Sequence, residues 1–353
     1  MKKLNLFAGV IIVAVIAIGA VSYYQTNRAP KQLTNIRIGW QVAWVPQGPL
    51  AVILQHADIL KNNGLNPEFQ KFTYGAPLAE AALAGSVDVI FVGQVPSLSL
   101  MSKTDKRKIV SRLLDGRAAI IVPKDSSINN VGDLRGKNFG VPFGTLNYMQ
   151  AIDAFKQNGL DPQKDLNIKN IDAVELASLV KKGTSKNWGD IDATSLWDPS
   201  VALLEELGLA KTIDEFRLDG VIVMSQDFYN KNPQAAKDFL KAMIQSYDYY
   251  NNNKIQANSW YINGTGLTYS AAVLAKASAL ERNNGAKSMS EISLILNQAD
   301  IDSIQSKADK GFEFNILKKQ LSVKDVIDQS FINSAEQDIK SGKYPKLVNI
   351  MKQ

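Results

Sequence analysis

The chain has 353 residues, which is enough for an N-terminal targeting segment and about two domains. Hydrophobic residues make up 45% and charged residues 21% of it, so disordered and fibrous classes are excluded. The formal net charge is +6, but the basic residues are dispersed among acids and do not form one basic arm. We therefore expect a solvated basic surface and no nucleic-acid partner, with mild attraction of an anionic ligand as the alternative.

Cysteine is absent from the chain, and the single histidine is His56. The lack of cysteine excludes disulfide frameworks, thiolate metal sites, cysteine nucleophiles and a lipid-modified cysteine. A single histidine excludes a multi-histidine metal site, and His56 falls within a predicted helix, where we expect a surface or packing role. We therefore predict that the protein uses no metal and no cofactor.

The N-terminus has the pattern of an export signal, because Lys2 and Lys3 precede an apolar run from Leu6 to Tyr24. This run of roughly 19 residues is also about long enough to cross a bilayer as a helix. Residues 1–34 are therefore predicted to be a cleaved signal peptide or a retained membrane anchor, followed by a linker. Both alternatives place the rest of the chain in the periplasm or cell envelope.

Beyond this segment, short apolar runs alternate with amphipathic stretches, which predicts an α/β chain. Strands are predicted at 36–40, 67–72, 87–92, 119–122, 139–141, 168–171, 193–197 and 220–224. Helices are predicted at 49–62, 76–84, 131–135, 148–157, 176–182 and 200–207, and the chain from Asn232 onward is expected to be almost wholly helical.

This order of elements predicts two lobes. Residues 35–117 form the first part of lobe 1, residues 118–220 form an inserted lobe 2, and residues 221–353 return to lobe 1 and add C-terminal helices. Two crossovers between the lobes make a hinge, and the cleft between two open α/β sheets is the expected ligand site. Arg112 and Arg117 bracket the first crossover; we expect both on the surface, with bidentate contact to a sulfonate or carboxylate as the alternative.

Several short motifs follow one another in the order found in a known protein family. They are Ile38-Gly39-Trp40-Gln41, Leu83 to Val89, Gly93 to Ser97, Val122 to Ser126, Val131 to Lys137, Gly144 to Tyr148, and Asp190 to Pro199. Together they make residues 36–250 resemble the solute-binding proteins of ABC importers for aliphatic sulfonates, taurine and nitrate, which are related to a branch that binds pyrimidine precursors.

This resemblance implies a type II periplasmic-binding-protein fold, with two α/β lobes joined by a two-crossover hinge and a helical C-terminal region. It also implies a non-catalytic role in transport. The expected partners are a small-molecule ligand, which we expect to be an anion, and an ABC permease in the membrane. We also expect a monomer.

The segment Gly144 to Tyr148 is the first candidate for ligand contact. A glycine follows a predicted strand and a helix begins directly after it, so backbone N–H groups and the positive end of the helix dipole face outward. Thr145 and Asn147 add side-chain donors, and Tyr148 either faces the ligand or packs. Thr145 as a simple helix cap is the alternative, and it is compatible with ligand contact.

Gly93 and Gln94 form the second candidate, at the end of one strand and the start of a helix. Gly93 permits close backbone approach. Gln94 stands where the resembling family usually has an acidic residue, which argues against a positively charged ligand group at this point. Its amide can donate to an anion or accept from a neutral solute, and an ordinary loop amide is the alternative.

The remaining candidates follow two other strands. Gln41 and Trp44 lie in the loop after the first strand, where an indole offers a flat wall and one donor, or else packs in the core. Trp197 and Asp198 end a strand of lobe 2. We expect Trp197 to face the cleft, and Asp198 either to contact the ligand or to cap the next helix.

Other functions remain open at this point. Trp44, Tyr148 and Trp197 can hold a neutral aromatic or pyrimidine-type solute instead of an anion. A membrane-tethered sensor is a second alternative, since the apolar N-terminal run can be retained. An enzyme on the same fold is a third, although the cysteine-dependent chemistry of one resembling branch is excluded.

Overall fold

The computed structural model describes residues 32–351, so the predicted signal or anchor lies outside the described residues. The described residues form eight strands in one mixed sheet. The strands are β1 (Thr34–Gln41), β2 (Leu65–Phe72), β3 (Val89–Gly93), β4 (Arg107–Pro123), β5 (Asn138–Val141), β6 (Asn167–Asn170), β7 (Ala193–Trp197) and β8 (Ala210–Ser225).

Fourteen α-helices accompany this sheet in the described part of the chain, in agreement with the α/β prediction. Those before β8 are α1 (Gln47–His56), α2 (Ile59–Asn62), α3 (Gly75–Leu83), α4 (Gln94–Lys103), α5 (Leu146–Gln157), α6 (Ala173–Lys182) and α7 (Ser200–Glu206). Those after β8 are α8 (Gln226–Lys231), α9 (Pro233–Asn252), α10 (Lys254–Thr265), α11 (Ala271–Ala277), α12 (Gln298–Glu313), α13 (Val323–Val326) and α14 (Ser330–Lys340).

The strand order across the sheet is β2-β1-β3-β8-β4-β7-β5-β6. β1, β2 and β3 run parallel at one end, and β5 pairs in parallel with β6 and β7 at the other. The long strands β4 and β8 pair antiparallel along the middle and join both ends. We call the β1–β3 end with its helices lobe 1 and the β5–β7 end lobe 2; the boundaries predicted at 117/118 and 220/221 stay a prediction.

The core follows from strands that are covered on both faces. All five residues of β3 are buried, which is typical of a continuous apolar run between two layers of helices. Phe91 packs on one face against Phe239 of α9, with ring centroids 6.2 Å apart. Ile90 and Val92 face the other layer, in a cluster with residues of α3 and α4. Among residues 32–351, no helix is long and apolar enough to cross a bilayer.

Four predicted elements differ from the structure. The helix predicted at 49–62 is two helices, because Ala57 is extended (φ −107°, ψ 151°) and pairs with Ile350 near the C-terminus. β4 and β8 are much longer than the predicted strands at 119–122 and 220–224, since their polar parts also pair with each other. The C-terminal region is also less helical than predicted, because residues 278–288 and 341–349 contain no helix.

Candidate functional site

A small cavity lies between the lobes, where strands β1, β3 and β7 end and helices α3, α4 and α5 begin. Its volume is about 20 Å³, room for about one water molecule, so the two lobes are nearly closed on each other. It is lined by Gln41, Trp44, Gly75, Gly93, Pro96, Thr145, Leu146, Asn147, Trp197 and Leu218. Six of the ten predicted contact residues are therefore brought together here.

Three helix N-termini converge on this cavity. Gly75 is the first residue of α3, Gly93 precedes α4, and Leu146 begins α5. The first turns of α3 and α4 have no side-chain cap. The first N–H groups of a helix have no partner within it, and the helix dipole places partial positive charge there. Both lobes thus direct positive backbone charge at one point.

Thr145 acts as the N-cap of α5. Its Oγ1 accepts a hydrogen bond from the backbone N–H of Tyr148 at 3.2 Å and donates one to the carbonyl of Pro142 at 2.6 Å. The Thr145 hydroxyl proton is therefore used within lobe 2. The cap leaves the N–H groups of Leu146 and Asn147 to the cavity, so the capping role is compatible with anion binding at the same helix end.

Two glycines near the cavity allow their neighbours to pack closely against the backbone. Gly144 has φ +72°, and a Cβ atom built there would lie 3.3 Å from the Cβ of Ala76 in lobe 1. A Cβ atom on Gly220 would lie 2.9 Å from the ring of Trp44. Trp44 is 2% exposed, and its indole both packs in the core and forms a wall of the cavity. Trp44 therefore has both of the roles expected from the sequence, as a flat wall of the cavity and as a core residue.

Amide side chains supply the neutral polar groups. Gln41 donates from Nε2 to the carbonyl of Phe91 at 3.1 Å, which fixes its Oε1 as an acceptor. Asn147 donates from Nδ2 to Ser195 Oγ at 2.9 Å, while its buried Oδ1 has no partner among the described residues. Rotating this amide by half a turn lets Oδ1 accept from the Ser195 hydroxyl and frees the two N–H groups as donors.

Four predicted contact residues do not line the cavity. Gln94 is buried, and its Oε1 accepts a hydrogen bond from Lys307 of α12 at 2.6 Å. The ring of Tyr148 packs on Phe143 at 4.4 Å and lines a separate cavity of about 560 Å³. Gly144 precedes the cap of α5 and faces Ala76. Asp198 accepts from the backbone N–H of Ala202 at 2.9 Å, so it caps α7.

The prediction that Arg112 and Arg117 lie on the surface is wrong, because carboxylates draw both into the interior. Arg117 reaches Asp198 with Nε at 2.9 Å and Nη2 at 3.1 Å, and its Nη2 also donates to Glu205 at 2.8 Å. Arg112 is 2% exposed and pairs with Asp115 and Glu281 at 2.7 and 2.6 Å. Neither guanidinium lines the cavity.

Arg117 determines the ionisation of its neighbour. Burial alone would raise the pKa of Glu205, but hydrogen bonds from Arg117, Lys276 and Thr212 lower that pKa to about 2. Burial lowers the pKa of Arg117, but hydrogen bonds to the carboxylates of Asp198 and Glu205 raise it above its usual value. These charges therefore neutralise one another and leave none for a ligand.

A larger and more basic cavity of about 530 Å³ lies at the start of β4, lined in part by Arg37, Lys106, Arg107 and Lys231. The guanidinium of Arg107 is already engaged there, since Nη2 donates to the carbonyls of Ala82 and Val87 at 2.5 and 2.8 Å. Burial lowers the pKa of Arg107 to about 10. Among the described residues, no group of three or more His, Cys, Asp or Glu side chains can hold a metal ion.

Gly75, Pro96, Leu146 and Leu218 also line the cavity but were not predicted. Gly75 and Leu146 each begin a helix that follows a strand. Thr145 was predicted because a helix begins directly after a strand there, and the same reasoning applies to Gly75 and Leu146. Pro96 lies within a quoted motif. Leu218 is part of the polar half of β8, where the sequence carries no local signal.

None of the lining residues of this cavity carries an ionisable side chain, and none offers an acid–base pair. What the described residues present is backbone N–H groups, amides and two indole walls. That set can bind and orient a small solute with an anionic group. It lacks a nucleophile activated by a neighbouring base.

Comparison with known proteins agrees with this arrangement. Residues 99–257 match the family model described as NMT1/THI5 like. The chain is 27% identical over 230 residues to the taurine-binding periplasmic protein of Escherichia coli K12, covering 62% of this chain and 67% of that protein. It is 24% identical over 322 residues to the putative aliphatic sulfonates-binding protein of Bacillus subtilis 168, covering 88% and 91%.

Solved structures share the fold. The alkanesulfonate-binding protein SsuA from Xanthomonas axonopodis pv. citri bound to MOPS superposes with a TM-score of 0.68 at 19% identity, over 84% of this chain and 99% of that one. The desulfurization enzyme DSZB superposes with a TM-score of 0.60 at 14% identity, over 86% and 99%. The chain thus has the periplasmic-binding-protein fold, and its predicted resemblance to taurine- and sulfonate-binding proteins is confirmed.

Proposed function

We propose that the protein is the extracytoplasmic solute-binding component of an ABC importer and captures a small anion between its lobes. The ligand is of the sulfonate, taurine or nitrate type. The observation that carries the proposal is the convergence of three helix N-termini, from both lobes, on a cavity without ionisable side chains. Backbone N–H groups bind an anion there without a lysine or arginine.

Capture proceeds by closure of the hinge formed by β4 and β8. In the closed arrangement, the Trp197 indole donates to the carbonyl of Ala43 at 2.9 Å, and Thr73 Oγ1 donates to Asp172 at 2.9 Å. Lys310 of α12 also pairs with Asp153 of α5. A ligand that bridges the N-termini of α4 and α5 adds to these contacts and favours the closed form.

The closed, liganded form then docks on a permease in the membrane, which is the partner that this role requires. We infer an exported protein that acts as a monomer, in the periplasm or at the cell envelope. We also infer that it is not an enzyme, since none of the residues that line the cavity carries an ionisable side chain to act as a general acid or base.

A neutral aromatic solute is the second candidate. Trp44 and Trp197 offer two indole walls, and Oε1 of Gln41 is held as an acceptor. A pyrimidine-type ring with N–H donors can use both features. The three helix N-termini favour the anion over this ligand.

A thermal-shift screen tests the proposal. The purified protein is mixed with alkanesulfonates, taurine, nitrate, carboxylates and pyrimidines. A ligand present at a hundred times its dissociation constant adds about 2.7 kcal/mol to the free energy of unfolding. We expect shifts with one anion class. Shifts only with neutral aromatic solutes would mean that the ligand is not an anion. Turnover of a solute without any shift would mean that the protein is an enzyme and not a receptor.

A further inference from the structure

Helix α12 joins two of the helices whose N-termini meet at the ligand cavity. Its residues Ile304 and Ala308 are fully buried in an apolar cluster with side chains of β3, α3 and α4, so α12 is part of lobe 1. The end of the same helix contacts α5, which belongs to lobe 2. One helix therefore connects the lobes apart from the hinge strands β4 and β8. It lies beyond residues 99–257, which match the family model.

Lys307 attaches α12 to the first residue of α4. Its Nζ donates to Oε1 of Gln94 at 2.6 Å and to Oγ of Ser303 at 2.8 Å, and it lies 3.3 Å from Oδ2 of Asp219. Lys307 and Gln94 are both buried. A buried ammonium group is costly to desolvate and depends on such partners. The attachment therefore fixes α12 on the lobe 1 side of the anion site.

One turn later, α12 carries charges that match those of α5. Lys310 pairs with Asp153, and Glu313 lies 3.7 Å from Lys156. The Nζ of Lys156 also lies 4.0 Å from the ring centroid of Phe314, directly after α12. The two charged residues of each helix are three positions apart and so share one face. Their signs are opposite in order on the two helices, which makes the two faces complementary.

We propose that α12 is a latch, in which Lys310 and Glu313 hold α5 against lobe 1 and so stabilise the closed form. The proposal rests on the proposed function, which it extends by naming positioning residues for the anion site. Neither residue lines the cavity, so the latch acts without touching the ligand. It keeps the N-terminus of α5 opposite the N-terminus of α4, where both sets of N–H groups reach one anion.

The latch should slow release of the ligand without changing its capture. Its ion pairs are broken in the open form, so their loss favours opening and leaves the encounter rate unchanged. The side chain of Lys310 is 37% exposed, and a partly exposed pair changes an equilibrium by up to about fivefold. We expect Lys310→Met to raise the dissociation rate about threefold. Lys310→Glu also adds repulsion from Asp153 and should raise it about tenfold.

Stopped-flow fluorescence of the whole protein with methanesulfonate measures both rates, because two tryptophans line the cavity. The double variant Lys310→Glu with Asp153→Lys reverses the pair and should restore the release rate to within about twofold. Lys237→Glu is the matched control. Lys237 pairs with Asp338 at 2.8 Å and joins α14 to α9, which packs on β3 within lobe 1. If Lys310→Glu does not fold, Lys156→Glu makes the same test from the other helix.

Small-angle X-ray scattering tests the latch without a ligand. The ligand-free Lys310→Glu protein should have a larger radius of gyration than the wild type, and the double variant should return to the wild-type value. Unchanged release in Lys310→Glu, or an equal increase in Lys237→Glu, would overturn the latch but not the receptor. If methanesulfonate does not bind the wild type, the proposed capture of sulfonates is overturned. The latch is then judged by scattering alone, and equal radii of gyration in wild type and Lys310→Glu would overturn it.

Discussion

The indole Nε1 of Trp197 in lobe 2 donates a 2.9 Å hydrogen bond to the carbonyl oxygen of Ala43 in lobe 1. Both residues are buried, and they are 154 positions apart in the chain. The bond spans the cleft beside the cavity, which Trp197 lines. It therefore exists only while the lobes are closed.

Replacing Trp197 by phenylalanine removes this bond and should weaken ligand binding. The Ala43 carbonyl is then buried without a partner in the closed form but is hydrated in the open form, which costs about 1–3 kcal/mol on closure. We expect the dissociation constant for methanesulfonate to rise about tenfold, measured by calorimetry.

Trp188→Phe is the control for this prediction. Trp188 is similarly buried and donates from Nε1 to the carbonyl of Leu209 at 3.3 Å, but both residues belong to lobe 2. It should lower stability without changing affinity more than about twofold. Equal losses of affinity in both variants would contradict a special role of Trp197 in closure.

Thr145→Val should destabilise the protein through the loss of a helix cap. The valine keeps the shape but cannot accept from the N–H of Tyr148, and loss of such a cap costs about 1 kcal/mol. Urea unfolding monitored by circular dichroism measures the change. Thr145→Ser retains the hydroxyl and should stay within about 0.3 kcal/mol of the wild type. A valine variant as stable as the wild type would show that the cap contributes nothing.

Arg117→Met should lower the free energy of unfolding by about 3 kcal/mol, because it leaves the buried carboxylate of Asp198 without its counter-charge. Arg135→Met removes an exposed ion pair with Asp165 and should cost less than about 1 kcal/mol. Binding of anions to the folded Arg117→Met protein should be preserved. Loss of binding at unchanged stability would mean that Arg117 contacts the ligand, as the alternative expectation from the sequence has it.

The Glu205 carboxylate should contribute to acid stability. Its pKa is lowered to about 2 in the folded protein from an ordinary value of 4.5. A lowered carboxylate pKa stabilises the fold fully above about pH 5, and this contribution is lost as the pH falls toward 2. We expect a loss on the order of 2 kcal/mol across that window in the wild type and a smaller one in Glu205→Gln. Identical pH profiles of urea unfolding would contradict this role.

Much of the architecture is predictable from local patterns. The apolar runs of β1, β3 and β7 are local features, and strand ends followed by helix starts converge at one edge of a sheet. From this convergence we predicted a shared site, and the structure brings six of the predicted residues around one cavity: Gln41, Trp44, Gly93, Thr145, Asn147 and Trp197. Whether they contact the ligand stays a prediction.

What the sequence could not reveal are partners that are distant along the chain. Gln94 turns to Lys307, which lies 213 positions later, and Arg117 is buried because Asp198 and Glu205 meet it. The break at Ala57 arises in the same way from pairing with Ile350. None of these pairs has a signal within a short window, because tertiary contacts override local propensity there.

The crystal structure of the protein with methanesulfonate tests the central claim most directly. We predict that the sulfonate lies in the cavity between the lobes, with its oxygens about 3 Å from the backbone nitrogens that begin α4 and α5. A sulfonate bound instead in the basic cavity of Arg107, Lys106 and Lys231, with the cavity between the lobes unchanged, would contradict the claim that helix N-termini bind the anion.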